Sequence, residues 1–97
     1  MSSSTAIAEI EKEYKIAEGE AKKSVTAVKN EWMKKINKAN KLYEKTKSDE
    51  DDAVLQELVE NGEKAVKQAE KDAKKFLTQT NNAMRKRLVR VLQDARA

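Results

Sequence analysis

Apolar and small residues recur through the first half of the chain at Ile7, Ile10, Tyr14, Ala17, Ala21, Val25, Val28, Trp32, Ile36, Ala39 and Tyr43, always three or four residues apart. Side chains at that spacing share one face of an α-helix, so the pattern predicts an amphipathic helix over about residues 5–45. A second stripe runs through Leu55, Leu58, Gly62, Val66, Ala69, Ala73, Leu77, Thr80, Met84, Leu88, Val91 and Ala95 in steps of three, four and four. It predicts a helix over about residues 50–95. The first stripe keeps close to the natural helical period and the second follows an eleven-residue repeat, so neither demands the left-handed supercoil of a strict heptad.

The two stripes are separated by residues 44–52, which contain no apolar side chain. Lys41, Lys45 and Lys47 lie toward the first helix, and Asp49, Glu50, Asp51 and Asp52 toward the second. Cations favour the C-terminus of a helix and carboxylates the N-terminus, where each opposes the backbone partial charge. Ser48 or Asp49 can cap a second helix, and Ser48 with Asp51 has the form of a weak capping box. A turn at about residues 46–50 therefore makes residues 1–97 a single all-α domain, an antiparallel hairpin of two long helices. At the start of the chain, Ser4 or Thr5 is the expected cap of the first helix.

Folding at the break sets Tyr43 against Leu55, Ile36 against Gly62, Trp32 against Val66, Ala21 against Leu77, Tyr14 against Met84 and Ile10 against Leu88. Sizes alternate in the middle of this seam, where Trp32 and Ile36 face the region of Gly62 and Ala21 faces Leu77, as interdigitating layers require. Charges follow the same register at both ends. Lys38, Lys41 and Lys45 oppose Glu60, Glu57 and Asp52, and Glu9, Glu11 and Glu13 oppose Arg90, Arg87 and Arg85. In the middle the match fails: Lys22 and Lys23 oppose Lys74 and Lys75, with Lys67 and Lys71 nearby. Like charges at close range cost energy unless an anion sits among them.

A lone hairpin this polar is marginal. Val54, Ala65, Phe76 and Ala83 widen the second stripe, and Val59, Val89 and Leu92 add apolar surface beyond it. The expectation is self-association, most simply a two-fold dimer forming a four-helix bundle, or packing against another helical protein. Trp32, Ile36, Gly62, Val66, Phe76, Leu77, Met84 and Leu88 are the candidate packing residues.

Composition narrows the chemistry. The chain has no His, Cys or Pro and only two Gly. Without His and Cys, the commonest general base, the commonest metal ligand and the thiol nucleophile are all missing. Glu9, Glu11 and Glu13 alternate around a helix and do not converge. The acidic run at Asp49–Asp52 lacks the spacing and glycine of a calcium loop, and Gly19 and Gly62 have no phosphate-loop spacing. No catalytic residue, metal site or cofactor is expected, and the chain reads as a non-enzymatic assembly, adaptor or chaperone-like protein. Trp32, at helical spacing from Val28 and Ile36, reads as a core anchor rather than a ligand platform.

Charged residues make up 39% of the chain, with a net charge of +4. That balance is mildly basic and short of a dedicated nucleic-acid arm. The candidate anion-binding residues are Lys22, Lys23, Lys74, Lys75, Arg85, Lys86, Arg87 and Arg90. Binding to an anionic polymer or membrane is the alternative function, and nucleic-acid reading is disfavoured because no aromatic side chains interleave with the cations. The plain reading of the Arg85–Arg90 run is a set of cations near a helix C-terminus, opposite glutamates. A second alternative keeps residues 46–52 helical, making one rod-like coiled-coil stalk.

In length and hairpin form the chain resembles small secreted helical-hairpin proteins and their chaperones. It carries neither a Trp-x-Gly turn nor a proline turn, so no family is assigned. No apolar run approaches the roughly 20 residues that cross a bilayer, and residues 1–14 do not have the form of a cleaved signal. A cytoplasmic location is the default, and export by an uncleaved-signal route stays open.

Overall fold

A computed structural model describes residues 2–96. It is all-helical, with α1 spanning Ser3–Thr46 and α2 spanning Asp49–Arg96, and the two form a hairpin. The reversal occupies only Lys47 and Ser48, tighter than the turn expected over residues 46–50. It also removes the continuous-rod alternative, because the helix is broken where the rod required it to persist.

Local chemistry explains why the chain turns there. Lys47 has a φ of 50° and its N–H donates to the Tyr43 carbonyl at 2.7 Å. A residue in the left-handed region whose N–H returns four residues is a standard way to end a helix. Ser48 then starts α2. Its Oγ accepts from the Asp51 N–H at 3.1 Å, and its carbonyl accepts from the Asp52 N–H at 3.1 Å. In a full capping box the third residue would reach back to the cap's own N–H. Here Thr46 stands between them: its hydroxyl accepts from the Ser48 N–H and donates to the Asp51 carboxylate. Asp49, Glu50, Asp51 and Asp52 fill the first turn of α2, where carboxylates oppose the helix dipole.

At the other end of α1 the cap is Ser2, not Ser4 or Thr5. The Ser2 Oγ accepts from the Thr5 N–H at 3.2 Å, and the Ser2 carbonyl accepts from the Ala6 N–H at 3.1 Å. Several consecutive hydroxyl residues can serve as caps, and the earliest adds another turn of helix before the apolar stripe begins.

The predicted faces are the ones withdrawn from solvent. Every stripe residue of α1 from Ile7 to Tyr43, and of α2 from Leu55 to Val91, is buried or half-buried, while Ala95 is exposed. The chain divides into two compact units, Met1–Lys23 with Asp72–Ala97, and Ser24–Lys71.

The first unit holds the buried residues Ile10, Ala17 and Ala21. Ile10, Tyr14, Thr80, Ala83 and Met84 gather around one small recess there. Thr80 is tolerated in this apolar stripe because its hydroxyl donates to the Phe76 carbonyl at 2.8 Å, which satisfies the polar group within its own helix.

In the second unit Gly62 is buried against α1. A methyl group placed on Gly62 would lie 3.4 Å from the Trp32 Cβ and 3.5 Å from the Ile36 Cδ1. This close approach places Ile36 across from Gly62, as the sequence register predicts, and brings Trp32, which the register set against Val66, onto Gly62 as well. Ala39 and Leu58, another predicted layer, line a single recess nearer the turn.

Candidate functional site

What the hairpin leaves uncovered defines its candidate site. Among the described residues no large side chain is fully buried. Met33, Leu42, Val54 and Phe76 are between 42% and 51% exposed, and Ile16, Val89 and Leu92 are exposed to a similar degree. Single exposed apolar residues are ordinary on a protein surface, whereas contiguous ones mark interaction sites.

In the second unit one exposed side chain, Met33, joins half-buried apolar neighbours in a continuous patch. Trp32, Met33, Ile36, Val59, Gly62 and Val66 line an open, mainly apolar groove of about 430 Å³. Gly62, close against Trp32 and Ile36, is among its lining residues. Its rim carries both charge signs, with Lys29 and Lys67 against Glu63 and Glu70. The Lys35 ammonium lies 4.4 Å from the centre of the Trp32 ring, a cation–π contact that covers part of the indole. Lys35 also pairs with Glu31 at 3.6 Å.

Four of the candidate packing residues, Trp32, Ile36, Gly62 and Val66, thus meet in one place. Leu77, Met84 and Leu88 lie half-buried in the first unit, and Phe76 is exposed there. Sequence reasoning assigned the surplus apolar surface to α2 alone and missed Ile16, Met33 and Leu42 on α1. The signal was present: each is the immediate neighbour of a stripe residue, Ala17, Trp32 or Tyr43, and so sits about 100° around the helix from the seam.

The cationic candidates are all exposed and all belong to the first unit. Arg85, Lys86, Val89, Arg90 and Gln93 share one shallow recess. Arg87 is diverted from this group and pairs with Glu13 of α1, not with Glu11 as the simple register proposed. A helical side chain covers the surface about one position toward its own N-terminus. In an antiparallel pair the two leans add, which moves the partner of Arg87 from Glu11 to Glu13. Near the turn, the ion pair formed by Lys47 is local: its ammonium donates to the Glu44 carboxylate at 2.9 Å. That bond and the Glu44 charge hold Lys47 above the usual lysine range.

Among the described residues no cluster of three or more acidic side chains is arranged to hold a metal ion, and no helix is long and apolar enough to cross a membrane. The Asp51 carboxylate in the acidic run is engaged by Thr46.

No protein-family model matches the chain, and neither a curated protein nor a solved structure matches it.

Proposed function

We propose that this chain is a non-enzymatic assembly module, a helical hairpin that packs against further helices, most simply those of a second copy in a four-helix bundle. The observation that supports this is the groove around Trp32, Met33 and Gly62, together with the half-exposed Leu42, Val54 and Phe76. Burying an apolar side chain contributes about 1.5–3 kcal/mol, so these residues offer a driving force that the intramolecular seam leaves unused. The mixed-sign rim suits self-pairing about a two-fold axis, in which each patch meets its own copy and Lys29 and Lys67 can oppose Glu63 and Glu70. Light scattering combined with small-angle scattering tests the reading by giving mass and shape together. A mass of twice 11.0 kDa or more, reduced to that of one chain by Met33→Lys, is the expected result. A single-chain mass at micromolar concentration with a cooperative, fully helical melt would count against it.

A further inference from the structure

From residue 73 to residue 93 α2 contains no carboxylate. Within this span Lys75, Thr78, Asn82, Arg85, Val89 and Leu92 follow one another at steps of three and four, a spacing that places them on a single helical face. Lys74, Lys86 and Gln93 flank the same line, and Arg96 continues it. The two cationic clusters that the sequence presents separately, Lys74 with Lys75 and Arg85 with Lys86, therefore form one basic strip, with Arg90 at its edge, about 100° around the helix from Val89. It belongs wholly to the first unit and extends about 30 Å at the helical rise.

Neither ordinary explanation of such cations covers Arg85, Lys86 and Arg90. Favourable interaction with the helix dipole is confined to the last turn, and the basic residue there is Arg96. The cross-helix ion pair is made by Arg87, whose partner is Glu13. Arg85, Lys86 and Arg90 instead surround an exposed Val89, and Leu92 beside it is also about half exposed.

An aliphatic centre within a cationic border distinguishes between anionic partners. Phosphates of a nucleic acid would satisfy the cations and leave Val89 and Leu92 in water. A bilayer surface satisfies both: its anionic headgroups meet the arginines and lysines, and its interfacial region receives the aliphatic side chains. We infer that this face of α2 docks on an anionic lipid surface, lying in the plane of the interface. The inference does not depend on self-association, which rests on the groove of the second unit.

Co-sedimentation of the full chain with vesicles tests it. Binding is expected to phosphatidylcholine vesicles that contain phosphatidylserine and not to phosphatidylcholine alone, and should weaken as salt is added. Replacing Arg85, Lys86 and Arg90 by Gln together should lower partitioning about a hundredfold. Removing equal charge from the other unit, with Lys38, Lys41 and Lys45 changed to Gln, should lower it far less. The double change Val89→Ser and Leu92→Ser should weaken vesicle binding about tenfold while leaving any affinity for a DNA oligonucleotide unaltered. Both residues are exposed, and circular dichroism verifies that helicity is kept. Absence of vesicle binding at low ionic strength, equal losses from the two triple variants, or vesicle binding indifferent to the loss of Val89 and Leu92 would each overturn the inference.

Discussion

Gly62 offers the sharpest test of how closely the two helices approach. Glycine in a helix interior costs about 0.8–1.0 kcal/mol relative to alanine, and neither glycine has the positive φ that would require it. A Cβ at position 62 would meet the Trp32 Cβ at 3.4 Å and the Trp32 Cε3 and Ile36 Cδ1 at 3.5 Å, which is contact without overlap. Gly62→Ala should therefore recover the helix propensity and add up to about 0.8 kcal/mol for one buried methyl group. Gly19 supplies the control, because nothing lies within 4 Å of the same atom there. Gly19→Ala should stabilise by about 1 kcal/mol through propensity alone, and the difference between the two variants isolates the packing contribution. Gly62→Leu adds carbons where Trp32 and Ile36 already sit, and overpacking should cost about 1–3 kcal/mol. Thermal melts followed by circular dichroism measure all three. They must be run at one protein concentration, since association moves the midpoint. A gain of 1 kcal/mol should raise Tm by about 4–8 °C in a chain of this size. If Gly62→Ala melts below the parent while Gly19→Ala melts above it, the helices are closer than described. If Gly62→Leu is as stable as Gly62→Ala, Trp32 and Ile36 do not pack there.

Two further predictions concern the turn. Ser48→Ala removes the acceptor for the Asp51 N–H and should cost about 1 kcal/mol in a denaturant titration, whereas Ser48→Asp should retain most of the stability. An alanine variant equal to the parent would show that Ser48 is not the cap. Lys47 is held above its ordinary pKa by Glu44, so its contribution is complete below the unfolded lysine value and disappears as pH rises through the folded one. The parent should therefore lose slightly more Tm than Lys47→Gln between pH 10 and pH 12. Identical slopes for the two proteins would rule out that coupling.

The helices and their register could be read from the sequence because nothing contradicts the helical period: there is no proline, and the apolar steps never leave three or four. The seam then follows from one reversal, and Gly62 against Ile36 confirms its phase. Details set by side-chain reach were less legible. The lean of long side chains moved the partner of Arg87 by two residues, and four adjacent hydroxyl residues left the first cap undetermined until Ser2 was seen to hold it. The groove could not be foreseen as a shape, because it depends on how Val59, Gly62 and Val66 of α2 sit against Trp32, Met33 and Ile36 of α1. The sequence stripe ranks residues by facing direction and does not show which neighbours leave a hollow.

The two-residue reversal also bears on how the chain finds its fold. Bringing Ala39 to Leu58 closes a short stretch of backbone, whereas bringing Ile10 to Met84 in one step closes most of the molecule, and the entropy lost grows with the length enclosed. Layers added outward from Lys47 and Ser48 each build on the one before, as the teeth of a zipper do. Pulsed amide exchange during refolding should accordingly find protection beginning beside Tyr43 and spreading last to the residues around Ile10.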